Sequence, residues 1–219
     1  MDVASLIVAL DGPAASGKGT LARLISDHYS FAYLDTGTLY RGVAWTMLEA
    51  GLAPEDEAAA AQIARDYDHS HILHADIRTR EIGAASSVVA KNPEVRAALL
   101  EFQRRFAKRP PRGVKGAVLD GRDIGTIVCP DAQVKFFVTA NAEERARRRW
   151  MELVVERPDL EEPSVYKDLL ERDARDAGRA DAPLVRAEGA ELLDTTHLSI
   201  DAAFAAARRV IDGAFRHCG

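Results

Sequence analysis

Short apolar runs alternate with stretches of helical periodicity along the chain. Five apolar runs predict strands, which are Leu6–Leu10, Phe31–Asp35, Ala117–Asp120, Val134–Ala140 and Ala190–Thr196. Four other stretches predict helices, which are Gly17–His28, Thr38–Ala50, a charged helix after Asn141, and Ser199–Gly213. Because strands that alternate with helices are typical of a parallel sheet covered on both faces, the pattern predicts an α/β fold with five parallel strands.

Four of these strands end in acidic or hydroxyl side chains. The residues are Asp11, Asp35, Asp120 and the run Asp194–Thr196. In an open α/β sheet, ligands bind at the carboxyl ends of the strands. We therefore expect the functional site at this edge of the sheet.

Two regions interrupt the alternation. Residues 53–112 contain helical stretches, scattered arginines and a short strand near His71–Ile77, and they predict a lobe inserted into the core. Residues 152–167 carry two prolines and many acidic residues, and they predict a short mobile lid. The core of the single domain 1–219 is then expected at about 1–52, 113–151 and 168–219.

The composition is that of one globular domain with an acidic balance of charge. The 219 residues are 47% hydrophobic, and 29 Lys and Arg against 34 Asp and Glu give a net charge of −5. This charge argues against non-specific binding of nucleic acid. The apolar run near the N-terminus is too short for a signal peptide or a membrane span. The two cysteines, Cys129 and Cys218, are far apart and favour reduced thiols over a zinc site or a disulfide framework. We expect a cytoplasmic monomer with no nucleic-acid or membrane partner.

The stretch between the first strand and the first helix matches the phosphate-binding pattern G-x-x-x-x-G-K, known as the P-loop. Its residues, with the two that follow, are Gly12, Pro13, Ala14, Ala15, Ser16, Gly17, Lys18, Gly19 and Thr20. Glycines allow the backbone to curve so that N–H groups point at a phosphate, and the N-terminus of the next helix adds its dipole. Lys18 is expected to stand free at the loop tip and to neutralise the phosphate that is transferred. Gly19 stands where Ser or Thr usually follows the lysine, so the loop is a variant; the alternative is a tight turn with a chance lysine.

Two further motifs bring charged side chains to strand ends. Tyr33–Ala44 supplies a carboxylate, two hydroxyls, a tyrosine and an arginine at the end of the second strand. Leu119–Thr126 supplies Asp120, in the position of an acidic residue that faces Mg²⁺ or its waters, followed by Arg122 and Asp123. Each aspartate alone is equally well explained as a helix cap or a turn former. Their clustering at strand ends favours a functional site.

Two arginine-rich stretches lie in the second half of the chain. In Glu171–Leu184, Arg172, Arg175 and Arg179 are spaced to share one helical face, and such a set can clamp phosphates through bidentate hydrogen bonds. The alternative is a solvated face that carries salt bridges. Glu143–Trp150 is as compatible with a plain charged helix face as with a functional site.

Four sequence motifs together resemble bacterial cytidylate kinases, within the nucleoside-monophosphate kinase group. They are "DGPAASGKGT", "YLDTGTLYR", "DGRDIGT" and "RDARDAGRADAPL", and the resemblance covers nearly the whole chain. It implies a P-loop core with an enlarged monophosphate-binding lobe and a short lid. It also implies transfer of the γ-phosphoryl group of ATP to CMP or dCMP with the help of Mg²⁺.

The resemblance also implies roles for single residues. The ATP loop falls on Gly12 to Thr20, and the ribose-facing hydroxyl falls on Thr36, where many relatives have serine. Contacts to cytosine fall on Ser87, Arg96 and Asp123, and Asp176 falls near the sugar. Catalytic contacts to the monophosphate and the transferred phosphoryl group fall on Lys18, Arg41, Arg122, Arg172 and Arg179. Thr20 and Asp120 would hold Mg²⁺ directly or through water. Arg78 also matches the family pattern, without an assigned role.

Two other interpretations of the residues stay open. A related kinase could use shikimate or another nucleotide as acceptor, although shikimate would need fewer arginines directed at phosphate. A P-loop switch protein would need a guanine-reading N-K-x-D sequence, which this chain lacks, and Ser or Thr directly after Lys18. An ionised phosphate acceptor requires no general base, which agrees with motifs that contain no histidine.

Overall fold

The structure, a computed structural model, describes residues 6–67, 77–111, 113–155 and 157–217. The predicted strand near His71–Ile77 lies, apart from Ile77, outside the described residues. Within the described ranges, no helix combines the length and the apolar character that crossing a membrane requires.

Five parallel strands form one sheet, as the sequence predicts. They are β1 (Leu6–Asp11), β2 (Ala32–Asp35), β3 (Gly116–Gly121), β4 (Val134–Thr139) and β5 (Glu191–Asp194). Their order across the sheet is β2-β3-β1-β4-β5, so β1 and β3 are central neighbours. In this register Leu10 pairs with Asp120 and Asp11 pairs with Gly121, which brings two of the motifs to one edge.

Helices follow and separate the strands. They are α1 (Lys18–Tyr29), α2 (Thr36–Glu49), α3 (Glu57–Asp66), α4 (Arg80–Val89), α5 (Pro93–Lys108), α6 (Ala142–Leu153), α7 (Glu162–Ala177) and α8 (Ile200–His217). A short π-helical turn covers Ile124–Val128. The last helix was predicted to end near Gly213, but it continues to His217. The reason is that Gly213 does not adopt the left-handed backbone by which a glycine ends a helix.

Apolar side chains cover both faces of the sheet. On one face, Leu10 and Val138 pack with Leu21 and Ile25 of α1 and with Ile211 of α8. On the other face, residues of β1 and β3 pack against the π-helical turn and the C-terminal part of α5. This two-sided burial agrees with the continuous apolar runs of the central strands.

The inserted region is helical where the structure describes it. Helices α2 to α5 enclose a separate apolar cluster that includes Leu39, Met47, Val95 and Leu99. Helix α5 also reaches the core, because Ala107 belongs to the cluster beneath the sheet. The inserted helices are thus joined to the core of the sheet through α5.

The stretch 152–167, which the sequence predicts as a lid, is partly helical. Residues 162–167 form the first turns of α7, because Pro163 is compatible with the first turn of a helix. The connection between α6 and α7 contains Leu160, which packs with Leu153 and Val165. The indole N–H of Trp150 donates to the carbonyl of Leu160 at 2.7 Å.

We expect Gly12→Ala to lower the free energy of unfolding by at least about 3 kcal/mol. Gly12 has φ of 146°, and an added Cβ would lie 1.9 Å from the carbonyl oxygen of Val138 in β4. Gly51→Ala is the control, because Gly51 has φ of 69° but no atom within 4 Å of the new Cβ. It should cost about 1 to 2 kcal/mol. Urea unfolding of both variants measures the difference, and equal losses would contradict the steric argument.

Candidate active site

The glycine-rich loop lies between β1 and α1, in the strand–loop–helix context that a P-loop requires. Three of its residues have positive φ: Gly12 at 146°, Ala15 at 57° and Gly17 at 86°. Residues other than glycine, such as Ala15, rarely adopt a positive φ, and where they do the position is commonly a functional site. The backbone therefore turns around a concave space at the N-terminus of α1.

Lys18 does not stand free at the loop tip, so that expectation was wrong. The side chain is only 6% exposed, its Nζ donates to the carbonyl of Pro13 at 3.0 Å, and it lies 3.7 Å from Oδ1 of Asp120. The loop wraps around the lysine, and a buried ammonium group needs such partners. Burial lowers the pKa of Lys18 to about 8, and burial also raises the pKa of Asp120.

A cavity of about 250 Å³ opens at the carboxyl ends of the strands. Most of the predicted site residues line it: Ala14, Ala15, Ser16, Gly17, Lys18, Gly19, Thr20, Thr36, Arg41, Ser87, Arg96, Asp120, Arg122, Asp123, Arg172 and Arg179. Three do not line it. Gly12 and Pro13 are buried at the base of the loop, and the carboxylate of Asp176 is enclosed by protein.

Asp176 is fully buried, with 0% exposure, and three arginines converge on its carboxylate. Nε of Arg122 donates to it at 2.9 Å, Arg179 donates to its other oxygen, and Nε of Arg172 lies 3.9 Å away. Burial alone would raise the pKa of Asp176, but the arginines together lower it. The carboxylate therefore acts as the shared counter-charge of the arginines, behind the wall of the cavity.

Arg179 lies outside the helix on which the sequence placed it. Helix α7 ends at Ala177, and Gly178 follows as its C-cap, so Arg179 reaches the cavity from the loop beyond. Arg172, by contrast, is on the helix and faces the same cavity. The solvated-face alternative is thus wrong for these two arginines.

Within the part of the chain that the structure describes, two arginines of the cavity each leave one donor atom without a hydrogen-bond partner. The Nε atoms of Arg172 and Arg179 are buried and have no partner among the described residues. Burial lowers the pKa of Arg172 to about 9 and that of Arg41 to about 10, and neighbouring arginines add to both shifts. Cationic donors that are buried without partners favour the binding of an anion.

The other end of the cavity contains a buried ion pair. Arg96 of α5 donates to the carboxylate of Asp123, and the Arg96 guanidinium lies 5.8 Å from the ring centroid of Tyr40. Burial raises the pKa of Asp123, and the nearby arginines oppose that shift. Ser87 of α4 lines the cavity as well. This end can recognise a flat, polar group through hydrogen bonds of both directions.

Comparison with known proteins now identifies the family. A sequence model described as Cytidylate kinase matches residues 8–212. Proteins named cytidylate kinase from Paramagnetospirillum magneticum and Azorhizobium caulinodans are 54% and 53% identical to this chain. These matches cover 94% and 95% of this chain, and 98% and 99% of the two relatives. The chain belongs to the cytidylate kinase family.

Membership makes the chain an enzyme, a transferase of the nucleoside-monophosphate kinase class. The resemblance noted in the sequence is therefore confirmed. Among solved structures, an uncharacterized protein from Eubacterium ventriosum is similar with a TM-score of 0.53 and 13% identity. That match covers 96% of this chain and 99% of the other, and it supports the α/β fold alone.

The residues near the loop suit a magnesium ion that phosphates help to hold. The described residues contain no group of three or more His, Cys, Asp or Glu side chains placed to bind a metal by themselves. Mg²⁺ at kinase sites commonly uses one or two carboxylates together with substrate phosphates. Asp120 is a buried carboxylate at the cavity and Thr20 an exposed hydroxyl at its edge. The donor chemistry of these two residues fits the ion.

The structure gives a role to Asp11, which the sequence analysis placed at a strand end without assigning it to the site. The carboxylate oxygens of Asp11 accept the N–H groups of Ile124 and Gly125, each at 2.7 Å, and thereby fix the loop that carries Asp123. Burial raises the pKa of Asp11 to about 6. The sequence did place Asp11 at the end of a predicted strand. It could not show the hydrogen-bond partners of Asp11, which are more than 100 residues away along the chain.

The arginines of α6 lie in different environments, according to the face of the helix on which each is found. Arg145 is buried and donates to Asp173 at 2.7 Å, whereas Arg149 lines the cavity. Arg147 is exposed and pairs with Glu144, as a plain charged face predicts.

Arg78, which the sequence analysis left without a role, lines the cavity and pairs with Asp35 at 3.1 Å.

We expect Asp176→Asn to lower the free energy of unfolding by about 3 kcal/mol at pH 7, because it removes the buried counter-charge of three arginines. Urea unfolding measures this loss. Since the pKa of Asp176 is lowered in the folded state, its contribution is present above the ordinary aspartate pKa of about 4 and is lost as the pH falls below it.

The control for Asp176→Asn is Asp159→Asn. Asp159 is exposed and lies 3.5 Å from Arg157. Its loss should change the free energy of unfolding by less than about 0.5 kcal/mol. Similar losses in both variants would contradict the counter-charge role of Asp176.

Proposed function

We propose that the protein transfers the γ-phosphoryl group of ATP to CMP and dCMP, giving ADP and CDP or dCDP. One observation carries the proposal: a single cavity joins the P-loop and its arginines to the buried Arg96–Asp123 pair. One end suits the phosphates of a donor nucleotide, and the other suits the base of an acceptor. Family membership supports CMP as the acceptor and ATP as the donor.

The donor phosphates would bind to the loop from Gly12 to Thr20. The positive φ angles of Ala15 and Gly17 curve the loop in the way that lets backbone N–H groups bind a phosphate, and the N-terminus of α1 would add a favourable dipole. The Nζ of Lys18 has only Pro13 and Asp120 as partners among the described residues, so it is available to a phosphate oxygen. Mg²⁺, held by Thr20 and Asp120, would supply positive charge to the phosphates when bound.

The acceptor base would bind between Asp123, Arg96 and Ser87. The Asp123 carboxylate accepts hydrogen bonds, and the 4-amino group of cytosine donates them. Uracil has a carbonyl oxygen at that position, which the carboxylate would repel. Thr36 lines the cavity nearby, with its hydroxyl donating to the carbonyl of Asp120 at 2.8 Å. We propose that its remaining acceptor capacity faces the sugar.

The transferred group would pass through the arginines between the two ends. Arg41, Arg122, Arg172 and Arg179 line the same cavity as Lys18. The charges of Arg122 and Arg172 act on Lys18, and that of Arg96 acts on Arg179. Bidentate contacts from these side chains to phosphate oxygens would neutralise the charge that moves in the transition state. Because the acceptor oxygen belongs to an ionised phosphate, no general base is needed. Catalysis would depend on alignment and on charge.

Contacts between α4 and α7 favour exclusion of water from the cavity. Nε of Arg80 donates to Asp168 at 2.6 Å, and its Nη2 donates to Ser164 at 2.9 Å. We propose that these contacts form as the inserted lobe closes on the lid side, which would suppress hydrolysis of ATP. The domain boundaries of lobe and lid, the monomeric state and the cytoplasmic location stay predictions.

The experiment that tests the function offers the protein Mg²⁺–ATP with one acceptor at a time. The acceptors are CMP, dCMP, UMP, AMP, GMP and shikimate, and release of ADP is measured. Rapid release is expected with CMP and dCMP. Faster release with shikimate or with a purine nucleotide would overturn the proposal.

We expect Arg172→Met to lower kcat for CMP by about 100-fold or more while the protein stays folded, because the lost charge acts where charge develops during transfer. Steady-state kinetics and a melting curve measure the two effects. Arg147→Met on the exposed face of α6 is the matched control and should keep wild-type kcat. A wild-type kcat in the Arg172 variant would remove this arginine from the proposed clamp.

A further inference from the structure

Of Arg172, Arg175 and Arg179, which the sequence analysis grouped together, only Arg175 does not line the active-site cavity. It lies in the adjoining cleft between α4 and α7. Its Nε donates to the hydroxyl of Ser87 at 3.0 Å, and Ser87 is only 1% exposed. Its other recorded contact, to Glu171 one helical turn away, is a loose 3.8 Å pair with an exposed carboxylate.

This hydrogen bond constrains what Ser87 can do on its cavity side. A serine hydroxyl has one hydrogen and two lone pairs, and Arg175 occupies one lone pair. No second partner of the Ser87 hydroxyl is recorded among the residues that the structure describes. The hydrogen and the remaining lone pair are therefore available to a ligand, with the oxygen fixed in place by a charged donor from behind.

We propose that Arg175 is a positioning residue that fixes the Ser87 hydroxyl for selection of cytosine over uracil. The inference rests on the proposed function, in which Ser87 and Asp123 contact the base. Cytosine has an amino group at C4 and no hydrogen on N3, whereas uracil has a carbonyl oxygen at C4 and a hydrogen on N3. Both differences lie on the edge of the base that makes hydrogen bonds. Because Arg175 occupies one of the three hydrogen-bond directions of the hydroxyl, fewer arrangements remain for a base edge, whereas a hydroxyl without this contact can rotate through all three and adapt to either edge.

The bond also joins base recognition to the packing of two elements. Ser87 belongs to α4 of the inserted region, and Arg175 belongs to α7 beyond the lid. The hydroxyl is fixed only when α4 lies against α7. Arg80 provides a second bridge between the same helices without touching Ser87. Arg80 therefore provides a matched control. If Arg175 only held α4 against α7, replacing either arginine would have the same effect.

The test compares kcat/KM for CMP with kcat/KM for UMP in four variants: Arg175→Met, Arg80→Met, Ser87→Ala and the double variant Ser87→Ala/Arg175→Met. Arg175→Met should lower the CMP:UMP ratio by about tenfold, the effect of one lost hydrogen bond to a polar edge. Arg80→Met should keep the wild-type ratio even where both rates fall. The double variant should match Ser87→Ala alone, because the arginine acts through the serine.

Three results would overturn the inference: an unchanged ratio in folded Arg175→Met, an equal fall in Arg80→Met, or additive effects in the double variant. Melting curves check folding, and Arg175→Leu, whose side chain has no hydrogen-bond donor, is the second variant if the methionine variant unfolds. Calorimetric binding of CMP and UMP gives a readout that does not need turnover. Wild-type protein that releases no ADP with CMP would refute the proposed function itself, whereas a normal wild type with an unaltered variant ratio refutes only the role of Arg175.

Discussion

The active-site cavity depends on one buried carboxylate that several guanidinium groups share. Without a ligand, arginines gathered around an anion site repel one another, and burial makes that repulsion stronger. Asp176 offsets it by accepting from Arg122 and Arg179 and by lying 3.9 Å from Arg172. The carboxylate is enclosed behind the cavity wall, so it neutralises the arginines without blocking the side that faces a phosphate. The remaining unpartnered Nε atoms leave the cluster prepared for an anion.

A second constraint connects the loop to the sheet. Gly12 passes so close to the backbone of β4 that no side chain fits, and the loop then turns through Ala15 and Gly17 in left-handed conformations. This path encloses Lys18 and brings its ammonium group near Asp120 at the end of β3. The parallel register of β1 and β3 is therefore a condition for the geometry of the loop. Asp11 extends the same connection to the Asp123 loop through two backbone N–H groups.

Arginines that connect separate elements around the cavity have different roles. Arg80 and Arg175 both cross from one helix to the other between α4 and α7, but only Arg175 reaches a side chain that lines the cavity. Arg145 of α6 similarly joins Asp173 of α7 to the carbonyl of Ala14 in the loop, at 2.7 and 3.4 Å. Arginine is suited to such bridges because its planar group donates in several fixed directions.

Local patterns in the sequence were sufficient for the sheet, for the P-loop and for the family. Apolar runs such as Leu6–Leu10 depend only on neighbouring residues, and "GPAASGKGT" acts through the conformations of adjacent glycines. The tertiary structure decided the burial of Lys18, the enclosure of Asp176 and the position of Arg179 beyond the end of α7. It also decided the pairing of Asp11 with a loop 113 residues away and of Arg175 with Ser87 across two helices. These features depend on which distant groups share a low-dielectric space, and spacing along the chain carries no information about that.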